Sequence, residues 1–113
     1  MEGTMPDEDG KRALHQALVD RILHGDGSAS VQQRAQAFRN EGLSPPLSTL
    51  VSKVATSPAL VTDADFTAAE KAGLSEDQLF ELVICAAVGH STRLYEAGLA
   101  ALATAAAADG EAR

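Results

Sequence analysis

The sequence predicts an all-α protein. Apolar residues recur three and four positions apart along nearly the whole chain, and no stretch alternates apolar and polar as a half-buried strand does. Gly, Pro, Ser and Thr fall between the periodic segments, where helices start and stop. With 113 residues, 45% of them apolar and 22% charged, residues 1–113 read as one domain around one modest core. Three Phe, one Tyr and no Trp leave Leu, Val, Ile and Ala to fill that core, and such small side chains suit closely approaching helices.

The first helix is expected to turn Ala13, Leu14, Ala17, Leu18, Ile22 and Leu23 inward, with Asp7, Glu8 and Asp9 near the positive end of its dipole. Gly25 and Gly27 end it. A second, shorter helix begins at Ser28 or Ser30, carries Val31, Ala35 and Phe38 inward under a Gln- and Arg-rich outer face, and stops at Gly42. Pro45 and Pro46 open a third, because a first turn tolerates a missing amide donor; Leu47, Leu50, Val51 and Val54 form its apolar face, and Pro58 marks its end. Thr62 caps a fourth, with Asp63 and Asp65 in its first turn, running through Phe66 and Ala69 to Gly73. The last helix opens on a capping box in which Ser75 covers the amide of Gln78 and Gln78 reaches back. Its pattern continues without Pro to about Ala105, roughly 45 Å at 1.5 Å per residue. Residues 1–8 and 106–113 are expected to fray. Segments 37–44 and 68–75 both read as a helix end, a Gly and Leu-Ser, which is shared capping chemistry and not a duplicated unit.

Nine Lys and Arg against sixteen Asp and Glu give a net charge of −7, a field that disfavours nucleic acid and anionic lipid as partners. A single Cys forms no intrachain disulfide, so the chain reads as intracellular and cytoplasmic. The first residues lack the basic start and apolar stretch of a secretory leader, and none is expected. The longest apolar region, 79–108, is interrupted by Glu81, His90, Arg93 and Glu96 and is too weakly apolar for a bilayer span. No phosphate loop, Ser nucleophile elbow or paired-carboxylate motif occurs, and no cofactor is expected. His15 and His24, nine positions apart, point to opposite helix faces far in sequence from His90, so no metal site is expected either.

The last helix carries most of the functional signal. Leu79, Val83, Ala86, His90, Ala97 and Ala101 fall in one stripe, with Arg93 at its margin, and Phe80, Ile84, Val88, Tyr95 and Leu102 in a second, nearly opposite one. Four short helices can hardly cover both sides along the full length, so copies of the chain are expected to share this helix. Gly89 and Gly98 each cost about 1 kcal/mol relative to Ala, which close packing or local bending should offset.

His90 can act as acid or base near neutral pH, and Cys85 is the one thiol that could serve as a nucleophile. On an ideal helix the two stand about 140° apart and pair only through a kink at Gly89 or a second subunit. Glu81, one turn before Cys85, opposes thiolate formation; it is expected to bind an Arg from a neighbouring helix or to face solvent. Arg93 is placed to bind an anion, or to pair with Glu81 or Glu96 across a subunit boundary, and Tyr95 to present its hydroxyl to a pocket.

The run from Leu47 to Leu102 resembles the C-terminal half of alkylhydroperoxidase-like (AhpD-like) proteins of the carboxymuconolactone decarboxylase family. The residues that carry the likeness are Val61-Thr62-Asp63-Ala64-Asp65-Phe66, then Ala72-Gly73-Leu74-Ser75-Glu76-Asp77-Gln78-Leu79-Phe80-Glu81-Leu82, then the Ala-rich segment through Arg93 and Gly98-Leu99. The resemblance implies an all-helical fold assembled into trimers or hexamers through long Ala-rich helices. The family's peroxidases carry two cysteines separated by two residues and followed by a His, with a Glu upstream; here Cys85 has no partner thiol and His90 follows it by five positions. A dithiol cycle needs a resolving thiol that this chain does not contain.

The expected function is therefore that of an AhpD-like helical homo-oligomer without the dithiol centre, binding a small molecule or another subunit, with His90, Arg93 and Tyr95 near any pocket. A decarboxylase- or isomerase-type enzyme would instead use His90 as acid or base on a small acidic substrate held by Arg93, with Cys85 the remaining catalytic candidate. A helical module that recognises a foreign protein is the other alternative.

Overall fold

A computed structural model describes residues 8–111, with side chains described for 10–108. It is all helical: α1 (Glu8–His24), α2 (Val31–Arg39), α3 (Leu47–Thr56), a 3-10 turn (Pro58–Leu60), α4 (Asp63–Lys71) and α5 (Glu76–Glu111). α5, with 36 residues, is the spine. α2 and α3 pack most extensively on it, α1 and α4 more lightly, and the molecule measures 60 × 30 × 22 Å. The expected frayed ends fall partly on residues 1–7 and 112–113, outside the described residues; α5 itself continues past Ala105 to Glu111.

Local chemistry accounts for the boundaries. Ser30 caps α2 by accepting the Gln33 amide at 3.0 Å. Asn40, in the left-handed conformation with φ 56°, ends that helix two residues before Gly42, because its short polar side chain tolerates a geometry most residues avoid. At α4 the Asp65 carboxylate reaches back to the Thr62 amide at 2.8 Å and also accepts the Thr62 hydroxyl at 3.2 Å. Those bonds and the Lys53 ammonium at 3.0 Å hold the Asp65 carboxyl below its usual range and tie α3 to α4. The expected capping box of α5 is present: the Ser75 amide donates to Gln78 Oε1 at 2.8 Å, and the Gln78 amide donates to Ser75 Oγ at 3.1 Å.

The core is built from Ala29, Ala37, Leu47, Leu50, Val51, Ala69, Leu79, Leu82, Cys85 and Ala86. Every α5 residue among them lies in its first third, so the core ends well before the helix does. Two helices turn differently from expectation. On α1, Val19 is the buried residue, whereas Leu14 and Leu18 are 75% and 47% exposed. On α2, Arg34 and Ala37 face inward and Val31 faces solvent. Apolar residues surround α1 on several sides, and its packing on α2 and α5 selected the Val19 side.

Candidate functional site

Cys85 sits in the core, 1% exposed, with its thiol directed at the Ile22 carbonyl 3.6 Å away. Burial pushes its pKa up to about 11; Arg34 pulls it back and Glu81 adds to the rise. A thiol in this state has almost no thiolate at neutral pH and no route to a substrate.

Beside it, Arg34 and Glu81 fasten the end of α1 and the following loop to α5. The buried Arg34 guanidinium donates from Nη1 to Gly25 O at 2.7 Å and Ile22 O at 3.3 Å, answering carbonyls at the negative end of α1. Its Nε is buried without a partner. The Glu81 carboxylate accepts the amides of Ser28 at 2.9 Å and Ala29 at 2.8 Å. Those two bonds lower its pKa, with Arg34 assisting. Glu81 thus meets backbone donors of the α1–α2 loop instead of forming the expected bond to an Arg or facing water. A Cβ at Gly27 would stand 2.7 Å from Glu81 Oε1, which accounts for a glycine there.

The other expected site residues do not converge on Cys85. α5 runs unbroken through Gly89, so Cys85 and His90 keep their separation of about 140°. His90 is half-buried and makes no side-chain hydrogen bond among the described residues. Arg93 donates from Nη1 to Phe38 O at 2.7 Å, securing the end of α2. Phe38 and Gly89 mark a close approach of α2 to α5: a Cβ on Gly89 would lie 2.7 Å from the Phe38 carbonyl carbon and nearer still to its oxygen. Tyr95 packs against His15 with ring centroids 5.6 Å apart, and His15 Nε2 bonds Thr92 Oγ1 at 2.9 Å. Neither His15 nor Gly89 was assigned these partners from sequence; a glycine in mid-helix was the one signal that a close approach existed.

Four surface depressions lie elsewhere. A polar one of 540 Å³ is lined by Ser48, Ser52 and Lys53 among others, and one of 380 Å³ runs past Gln36, Pro45 and Leu74. One of 300 Å³ opens between Phe66, Leu79, Phe80 and Val83, and one of 170 Å³ beside Arg21, Arg34, Glu81 and Ile84. Cys85, His90, Arg93 and Tyr95 line none of these four. Among the described residues no three His, Cys, Asp or Glu side chains gather to hold a metal ion, and no helix is long and apolar enough to cross a membrane.

The largest unexplained feature is the outer side of α5. Phe80, Leu94 and Leu102 are 67%, 60% and 69% exposed, in a row on the side away from Leu82 and Cys85. Phe80, Ile84, Ala87, Ser91, Leu94, Gly98, Ala101 and Ala105 follow one another at alternating spacings of four and three, the repeat of a helix-pairing seam, with no charge at any of these positions. Set against known protein families, curated proteins and solved structures, the chain matches none of them.

Proposed function

We propose that this chain is an AhpD-like helical protein that works as an assembled homo-oligomer and not as a thiol peroxidase, with α5 as the element that joins the copies. The observation that carries this reading is the uncharged seam on the outer side of α5, which the chain's own helices leave in water. Monomeric proteins seldom expose apolar patches beyond a few hundred Å² without a partner for them. The inaccessible Cys85 speaks against peroxide chemistry, and a lone reduced thiol fits a cytoplasmic setting. In this reading Arg93 and His15 are structural ties, and a small molecule or partner subunit would be met at the assembled surface. Size-exclusion chromatography with light scattering tests it. The expected result at micromolar concentration is a mass that is a multiple of 11.7 kDa; a stable species of 11.7 kDa would overturn the proposal.

A further inference from the structure

Along the seam the large residues gather towards the start and the small ones towards the end, which distinguishes the two orientations a second copy could take. In a parallel pair each residue meets itself: Phe80 faces Phe80, Ile84 faces Ile84 and Gly98 faces Gly98. The bulky side chains at the start would set the spacing of the helices and leave gaps between the small residues at the end, which close packing disfavours. In an antiparallel pair centred on Ser91, Ile84 comes level with Gly98, Leu94 with Val88 and Phe80 with Leu102, so the bulky start of the seam in one copy lies along the largely Ala and Gly end of the other. Opposed helix dipoles add to this preference.

α1 supports the same centre. The His15–Thr92 bond and the approach of Cys85 to Ile22 O set α1 antiparallel alongside α5. The exposed Leu14 and Leu18 therefore lie on either side of the level of Ser91, bordering the Tyr95 side of the seam. A two-fold axis through Ser91 brings Leu14 of one copy beside Leu18 of the other. Lys11 and Arg21, one turn beyond the leucines, sit at the rim, where long side chains keep their charge in water.

The area suffices. Six large side chains, Leu14, Leu18, Phe80, Leu94, Tyr95 and Leu102, are 37% to 75% exposed. At about 200 Å² for a fully exposed large side chain they leave roughly 700 Å² per copy in water. Two copies bring roughly 1,400 Å², within the range of about 1,200–2,000 Å² that specific interfaces bury.

We infer that a second copy of this chain docks antiparallel on the outer side of α5, about a two-fold axis at Ser91, with the α1 leucines completing the contact. This rests on the assembly proposed above and specifies its geometry. Such a contact closes a dimer, or forms the two-fold of a hexamer, and is absent from a lone trimeric ring.

Disulfide trapping in a Cys85→Ala background tests it on the intact chain, with light scattering run on each variant before oxidation. Ser91→Cys alone is expected to cross-link to a covalent dimer under mild oxidation. An equimolar mixture of Ile84→Cys and Gly98→Cys chains is expected to give the mixed dimer, with neither variant linking to itself. Self-linking of Ile84→Cys would indicate a parallel pair and overturn the orientation while leaving assembly intact. Oligomers that link in none of these ways would place the contact elsewhere and overturn the inference alone. Monomers throughout, with the wild type monomeric too, would overturn both proposals.

Discussion

Replacing Gly89 by Ala adds one methyl group at a point where α2 and α5 approach closely. In an unconstrained helix this change stabilises by about 1 kcal/mol. Here the new Cβ would stand 2.7 Å from the Phe38 carbonyl carbon and 2.9 Å from its Cα, and both are backbone atoms that cannot rotate aside. α2 would have to move away, loosening Ala37 in the core and stretching the Arg93 bond to Phe38 O. Overpacking of this kind costs about 1–3 kcal/mol, and a weakened hydrogen bond from a charged group about 1.5 kcal/mol or more. The expected net effect is a loss of about 2 kcal/mol. Gly98 is the internal control, because nothing within the chain lies within 4 Å of a Cβ built there. Gly98→Ala should therefore show the helix-propensity gain of about 1 kcal/mol, leaving the two variants about 3 kcal/mol apart, over a hundredfold in the unfolding equilibrium. Urea unfolding in a Leu94→Glu background measures both, since that change is expected to separate the copies and keep the partner's Ile84 away from the methyl group added at position 98. A Gly89→Ala protein as stable as the wild type would refute the close approach of α2 to α5.

Cys85 should react slowly with iodoacetamide and with hydrogen peroxide in the native protein at pH 7 and rapidly in urea, because burial holds its pKa at about 11; fast native labelling would contradict that placement. Glu81 titrates below the ordinary carboxylate range in the folded state, so its contribution to stability is complete above about pH 4.5 and fades as pH falls through the lowered value. Glu81→Gln should therefore be less stable than the wild type at pH 7, with the gap narrowing towards pH 3; a gap constant with pH in urea titrations would count against the two amide bonds. Arg34→Ala removes the charged donor from the Gly25 and Ile22 carbonyls, leaving Ile22 O with the weak Cys85 thiol, and should cost about 2–3 kcal/mol. A melting temperature unchanged in that variant would remove Arg34 from the account.

What could be read from sequence is what neighbouring residues decide among themselves. Ser75 and Gln78 cap α5 through bonds spanning three positions, and Leu47, Leu50 and Val51 define the buried face of α3 by spacing alone. What could not be read depends on distant parts of the chain. Arg34 turns inward because the end of α1 needs donors for its carbonyls, a requirement invisible within α2. Glu81 finds amides more than fifty residues away, at Ser28 and Ala29. The apolar stripe proposed for α1 included Leu14 and Leu18, which stand exposed because α2 and α5 cover the Val19 side. The mid-helix glycines divide the same way: Gly89 has its close contact within the chain, whereas Gly98 has none there and would meet one only on the proposed antiparallel partner.

Sedimentation equilibrium over a range of concentrations, on the wild type and on Leu94→Glu, tests the outer side of α5 most directly. Leu94 is 60% exposed in the single chain, so the charge is harmless to a monomer's fold but is buried once a second copy docks. The account predicts that the wild type exceeds 11.7 kDa and that Leu94→Glu falls to 11.7 kDa with its helix content unchanged. Equal masses for the two proteins, whether both monomeric or both assembled, would contradict it.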